Sequence, residues 1–338
     1  MDALSHVLSA IRLTGAVFLE AELRAGWSYV TPPASSIGAL LMPEAEHIIP
    51  YHLVTEGACK AHLLDGVPVE LKLGDLIIFP HGDQHVLANS GQEEPVSLDI
   101  SEEDLRSLLR PGEVTPLRHG SSGDATRLVC GYLACDRRLS EPILAGLPRM
   151  LKVSLTDHSI SDWVRSSLRF SVAESRAPRP GAMSVLTKLS ELLFVEAIRH
   201  YVETLPDEQT GWFAGLRDRF VGRALALLHQ DPGYAWTVDE LAKQVGLSRS
   251  ALAERFGELI GQPPMQYLTQ WRLSVAAQEL LSSKRALAQI AQAVGYESEA
   301  AFNRAFKRAF GVPPATWRKT NAPPDGAVSR YAATVSPS

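Results

Sequence analysis

The sequence predicts an α+β chain of two domains, a β-barrel with a helical appendix in front and an all-α domain built on a repeated helix pair behind. Three observations carry this. The 338 residues exceed what one ordinary core organises. The first 135 or so alternate short apolar runs with turn signals, and the C-terminal third repeats one pattern at a shift of 49 to 50 residues.

In the front part, residues 15–23 are apolar-rich, and beyond them Thr31-Pro32-Pro33, Gly57, Asp65-Gly66, Gly74-Asp75 and Gly82-Asp83 break the chain into short runs. Short strands broken at such intervals suit a barrel or sandwich. From Pro142 the texture becomes helical, with Ile143, Leu144, Leu147 and Leu151, then Ile160, Val164 and Leu168, at three- and four-residue steps. The stretch SRAPRPG (175–181) is a break. After it Val185, Leu189, Leu192, Leu193 and Ile198 form an apolar stripe on a long helix, either packed on its own domain or serving as a dimer contact. The segment 321–338, NAPPDGAVSRYAATVSPS, has the composition of a disordered tail. The expected division is therefore 1–174, a sensing domain; 175–215, a linker with the candidate dimerisation helix; 216–320, the repeated domain; and 321–338, the tail.

Apolar residues make up 45% of the chain and charged ones 21%, as in a globular protein. No run approaches the roughly 18 apolar residues of a membrane span. The first residues lack a basic leader followed by an apolar core, so a cytoplasmic location is expected. Three cysteines, Cys59, Cys130 and Cys135, make no disulfide framework. The last two, five apart in a strand, point to opposite faces, although either thiol could sense oxidants. Residues 216–320 hold 14 Lys plus Arg against 9 Asp plus Glu, a balance of +5, and the rest of the chain carries −10. Such asymmetry suggests that the basic part meets a polyanion.

The repeat is specific. Val245-Gly246 matches Val294-Gly295, Phe256 matches Phe306, Gly261 matches Gly311, and Pro263-Pro264 matches Pro313-Pro314. Each copy has a helix with apolar Leu241 and Val245, or Ile290 and Val294. A glycine able to take the left-handed conformation comes next, then Ser248 or Ser298 placed to cap a second helix. Leu252 and Phe256, or Phe302 and Phe306, lie on that helix's inner side. This is the grammar of a helix-turn-helix, whose second helix enters the major groove of double-stranded DNA. Its outward residues are Arg249, Ser250, Ala253 and Glu254 in the first copy, and Glu299, Ala300, Asn303 and Arg304 in the second. Arg304 can bond two acceptors on guanine, while Lys307, Arg308, Arg318 and Lys319 suit phosphate.

The strings WTVDELAKQVGLSRSALAERFGELIGQPPMQYLTQWRL and GYESEAAFNRAFKRAFGVPPATWR resemble the two helix-turn-helix units of the AraC/XylS family of transcription regulators. The resemblance covers roughly residues 217–320. It implies seven helices, with a rigid linker helix near residues 265–281 that sets the two readers about one DNA turn apart. Carried over by position, Ser250, Ala253 and Glu254 read bases in the first unit, Glu299, Ala300 and Arg304 in the second, and Arg272 of the linker helix meets phosphate. Glu254 departs from the basic residue often found there; its carboxylate would repel phosphate but accept from cytosine N4. Promoter DNA, RNA polymerase and a second copy of the chain are the partners the resemblance implies, and activation is the family's commoner habit.

In the front domain Gly74, Pro80, Gly82, His85 and Asn89 have the spacing of the second cupin motif. The region 51–89 and the later string LVCGYLACD resemble the cupin domains attached to such regulators. In enzymatic cupins the motif histidine joins two more histidines and a glutamate on a metal. The first motif is broken here: His47 and His52 stand five apart, and Pro50 occupies the glutamate's place. His52, Phe79, His81 and His85 are expected to line a pocket for a small effector, or the histidines to hold a metal with Cys59 or His62. No cofactor is expected. The readings in competition are a DNA-binding regulator answering a small effector or oxidant, a cupin metalloenzyme with an appended DNA-binding domain, and a structural DNA-binding protein, which would be far more basic.

Overall fold

A computed structural model describes residues 3–10, 13–24, 26–41, 45–89, 114–121, 123–135, 140, 143–155, 166, 170, 180–206 and 208–321. They gather into two compact units, one of residues 11–204 and one of residues 1–10 with 205–338.

The first unit is the β-structure. It comprises β1 (Thr14–Arg24), β2 (Ser28–Thr31), α2 (Ala34–Leu41), β3 (His47–Glu56), β4 (Ala58–Leu63), β5 (Val69–Lys72), β6 (Asp75–Ile78), β7 (His85–Ala88), β8 (Thr115–His119), β9 (Ala125–Cys135), β10 (Leu151–Ser154) and α3 (Ala182–Thr204); the chain's first helix, α1 (Ala3–Ala10), belongs to the other unit. Six strands form one sheet in the order β10-β6-β3-β9-β1-β8, and four form a second, β2-β7-β4-β5. Pairing is antiparallel except between β1 and β8. Alternation in the strands sends Val54, Cys59, Ala61, Leu87, Leu128 and Cys130 inward to a core shared with Trp27, Leu71, Ile77 and Phe79. Burying each large aliphatic side chain contributes roughly 1.5–3 kcal/mol.

β3 and β9 are central strands, and their burial is nearly unbroken because both faces are covered. The outer cover is α3, which packs on β1, β9 and β10. Its Ser190 hydroxyl lies 2.6 Å from that of Tyr51, a buried hydrogen bond that ties the helix to the sheet. Of the expected apolar stripe only Leu193 and Ile198 are buried, with Leu186, Phe194 and Ala197. Leu189 and Leu192 are half-buried and Val185 is exposed, so the packed face is rotated from the predicted one.

The helical reading past residue 142 needs correction at Leu151. Residues 151–154 are the edge strand β10, with Leu151 opposite Ile78 and Val153 opposite Leu76. Leu151 and Val153 are buried while Lys152 is exposed, a period of two that the leucine spacing before it masked. Ile160, Val164, Leu168 and the tail beyond Asn321 lie outside the described residues.

The second unit is helical: α1, then α4 (Trp212–Arg217), α5 (Val221–Gln230), α6 (Val238–Val245), α7 (Arg249–Ile260), α8 (Pro264–Ser282), α9 (Leu287–Ala293), α10 (Glu299–Phe310) and α11 (Pro314–Asn321). Seven of these fall between Val221 and Asn321, joined by short turns. α1 packs on α5 through Ala3 and Val7, four residues apart on one face and both buried. The His6 ring meets His229 edge-on at 6.4 Å. Thus the chain's first helix joins the helical unit and α3 joins the sheets, where the sequence reading grouped 1–174 together and set 175–215 apart.

α8 runs through the helical unit with Tyr267, Leu268, Trp271, Leu273, Ala276, Ala277 and Leu280 buried. His229 lies flat on Trp271 at 4.0 Å, and its Nε2 is 2.7 Å from the Tyr267 hydroxyl, which accepts from Trp212 Nε1. Burial holds His229 neutral, its pKa pushed down to about 3.

Candidate nucleic-acid interface

The two helix pairs are built from the same backbone hydrogen bonds. In the first, Leu247 N–H donates to Ala242 O at 3.0 Å and Gly246 N–H to Lys243 O at 3.2 Å; in the second, Tyr296 N–H donates to Ala291 O at 2.9 Å and Gly295 N–H to Gln292 O at 3.0 Å. Each is a Schellman turn. The glycine sits at φ 84° in one and 83° in the other, a conformation a Cβ resists.

Each turn leads into the predicted serine cap. Ser248 Oγ accepts from Ala251 N–H and Ser298 Oγ from Ala301 N–H, both at 3.2 Å. Thr237 caps α6 in the same way, with Asp239 and Glu240 in the first turn, where the helix dipole favours acids. Leu252 and Phe256 anchor α7, and Phe302 and Phe306 anchor α10, all fully buried. Helix pair, turn and cap therefore fix which side of α7 and α10 remains outside.

On that outer side Arg249, Ser250, Ala253 and Glu254 are exposed on α7. Arg249 Nη1 is 3.5 Å from Asp239 of α6, an open pair that costs little to break. On α10, Glu299, Ala300 and Arg304 are exposed and Asn303 is half-exposed. Lys307 and Arg308 continue the face by one turn, and Lys319 is exposed on α11. Among the described residues Arg304, Lys307, Arg308 and Lys319 form no ion pair, so their charges face solvent.

Two of the expected phosphate contacts are placed differently. Arg318 turns back on the fold: its Nε donates to Leu280 O at 3.2 Å and an Nη to Arg285 O at 2.7 Å, closing the end of α8. Arg272 is half-buried, and its guanidinium bonds the carbonyls of Pro232, Tyr234 and Gly295. Burial lowers its pKa. Neither role has a cue in the local sequence, because the carbonyls these side chains bind come from segments 23 to 40 residues away. Arg255, two positions from Ala253, is held by Asp218, which also accepts from the amides of Phe220 and Val221 at the start of α5.

Within the β-unit the structure brings together three of the four expected pocket residues. His52 and His85 are buried with their Nε2 atoms 2.8 Å apart, and Phe79 stacks on His85 at 3.5 Å. His81 is exposed and bonded to Leu147 O, outside this cluster. The missed member is Cys130, whose Sγ is 3.0 Å from His52 Nδ1. Burial pushes His52 well below its usual pKa and His85 down to about 4, so both rings are neutral at pH 7. Burial pushes the Cys130 thiol up and Cys59 up to about 12.

These states orient the whole chain of bonds. The Asp83 carbonyl can only accept, so His85 Nδ1–H donates to it at 2.8 Å and His85 Nε2 must accept. His52 Nε2–H then donates to His85, and His52 Nδ1 accepts from the Cys130 S–H. Among the described residues no three His, Cys, Asp or Glu side chains converge as metal ligands; His62 bonds Leu63 O instead. No helix among the described residues is long and apolar enough to cross a membrane.

Residues 2–203 match the family described as Cupin, and residues 241–320 match the family described as Helix-turn-helix domain. An AraC-like transcription regulator of Streptomyces lividans is 32% identical over 94% of this chain and 98% of its own length. The HTH-type transcriptional regulator AlkR of Acinetobacter baylyi is 29% identical over 94% of this chain and 99% of its own. The RCS-specific HTH-type transcriptional activator RclR of Escherichia coli is 27% identical, covering 94% and 98%.

Proposed function

We propose, given that this chain belongs to the AraC-like transcription regulators with a Cupin domain ahead of a helix-turn-helix domain, that it reads two adjacent major-groove segments of promoter DNA and takes its signal through the cupin unit. The chain is a DNA-binding transcription regulator; the residues that read DNA and the nature of the signal are our reading.

The observation that carries it is the equivalence of the two helix pairs. The same Schellman turn and serine cap present α7 and α10, each with a short solvent-facing row. In α7 the row is Arg249, Ser250, Ala253 and Glu254; in α10 it is Glu299, Ala300, Asn303 and Arg304. The N-terminal half of each helix then faces base edges. Lys307, Arg308 and Lys319 supply the phosphate charge. Arg272 and Arg318 are left out of that set, since their guanidiniums already serve backbone carbonyls.

The signal is a small molecule or oxidant acting on the cupin unit, with the cluster of His52, Phe79, His85 and Cys130 as its place of action. An effector coupled to DNA binding must favour one arrangement of the protein over another. Activation through RNA polymerase, a homodimer and a cytoplasmic location complete the reading.

The test is retention of sheared DNA from the source organism by the full chain at about 0.15 M salt, with Arg304→Ala in parallel, because phosphate-driven background falls steeply with salt. Enrichment of a shared sequence of two blocks about one turn apart, weakened in the variant, is expected. Retention without any shared sequence contradicts the reading.

A further inference from the structure

Arg272 lies where three segments of the helical unit converge. From α8 its Nε donates to Pro232 O at 2.6 Å and an Nη to Tyr234 O at 2.7 Å, both in the loop between α5 and α6 that opens the first helix pair. The other Nη reaches Gly295 O at 3.5 Å, in the turn between α9 and α10 of the second pair. The backbones also touch directly. A Cβ on Gly233 would stand 2.5 Å from Ala293 O, and one on Gly295 would stand 2.7 Å from an Arg272 Nη and 2.9 Å from Gly233 O. The guanidinium therefore sits beyond the carboxyl ends of α5 and α9, where carbonyls lack helical partners and a cation is favoured. Its planar fork fits several carbonyls at once, which a lysine ammonium cannot do in the same geometry.

We propose that Arg272 is a positioning residue that locks the first helix pair to the second, and so fixes the one spacing at which the two DNA segments can be read together. This rests on the two-reader arrangement proposed above. α8 alone would join the pairs at its ends; the Arg272 contact joins them across its flank and removes the hinge between them. Inserting one base pair between the segments turns the second block by about 35° and moves it about 3.4 Å. A locked pair cannot follow that shift.

The full chain is used to select from a library of random duplexes, beside Arg272→Lys, Arg272→Ala and Gly295→Ala. The last keeps the arginine but drives a methyl into its guanidinium. The wild type enriches two blocks at a single spacing, with a one-base-pair insertion weakening binding about tenfold or more. The three variants enrich the same blocks spread over two or more spacings, and the insertion costs them less than about threefold. The same variants carry spin labels at Gln244→Cys and Ala309→Cys, both exposed, while the native cysteines are buried. The interspin distance is narrow in the wild type and broad in each variant, without DNA.

Arg272→Lys with wild-type spacing and a narrow distance distribution overturns the proposal, as does a broadened distribution with an unchanged spacing preference. If the wild type enriches a single block, the two-reader reading fails, and the distance measurement judges the lock by itself: a narrow distribution in the variants removes it. A phosphate-contacting Arg272 would instead give Arg272→Ala a salt dependence shallower by about one contact, at unchanged spacing.

Discussion

Replacing Gly246 and Gly295 by alanine, one at a time, separates the conformational demand of the turns from the packing around one of them. Both glycines stand at nearly the same left-handed φ, 84° and 83°. An L-residue there costs about 1–2 kcal/mol, offset by about 0.4–1 kcal/mol from the stiffer unfolded chain. A Cβ on Gly246 meets nothing within 4 Å, so Gly246→Ala has a net cost of about 1 kcal/mol. On Gly295 the same methyl meets Arg272 and the Gly233 carbonyl at under 3.0 Å, which adds an overpacking penalty of about 1–3 kcal/mol. Urea unfolding monitored by tryptophan fluorescence measures both, since Trp212, Trp236, Trp271 and Trp317 all lie in the helical unit. The midpoint falls by about 0.5 M for Gly246→Ala and at least twice that for Gly295→Ala. Equal shifts refute the close packing at Gly295, and no shift in Gly246→Ala refutes the left-handed turn.

The same geometry fixes four further outcomes. Ser298→Ala leaves the Ala301 amide uncapped and lowers unfolding free energy by about 1 kcal/mol, with Ser248→Ala similar, both read from denaturant midpoints. Arg304→Ala weakens binding to the retrieved sequence by about 1–3 kcal/mol and relaxes preference at one position, whereas Lys307→Ala weakens all sequences alike and lowers the salt slope by about one, as binding titrations over a salt series distinguish. His85, neutral when folded with a pKa of about 4 against 6.5 for the free group, binds fewer protons than in the unfolded chain; its stabilisation is complete above about pH 6.5 and is lost as the pH falls through about 4. Denaturant midpoints at pH 7, 5.5 and 4.5 track that loss, and His85→Leu makes it shallower without abolishing it, because burial also lowers the pKa of His52 and His229. Val7→Asp places a charge at a fully buried position of α1, releasing the helix to limited proteolysis that the wild type resists.

The helical unit was largely legible because its determinants are local. The Schellman glycines, the serine caps and the buried phenylalanine pairs each act within one helix pair, and the repeat carries them twice. The β-unit was legible as strands between turn signals, but not at β10, where Leu144, Leu147 and Leu151 at helical spacing run into a strand whose alternation spans only four residues. What the sequence withheld is non-local. Arg318 was expected at phosphate from its charge and Arg272 from the family resemblance, and neither expectation could include the carbonyls that engage them, which come from distant loops and helix ends. Cys130 joins His52 and His85 only through the pairing of β9 with β3, 78 residues apart in the chain. The placement of α1 against α5, more than 200 residues away, left no local periodicity beyond Ala3 and Val7.

Interference by guanine N7 methylation on the retrieved duplex decides whether two equivalent helices read the DNA, because N7 lies in the major groove where α7 and α10 are proposed to sit. Two clusters of interfering guanines on one face of the duplex, about 10 base pairs apart, are predicted, with one cluster lost in Arg304→Ala. A single cluster, or clusters indifferent to Arg304, would contradict the reading of DNA by both helix pairs.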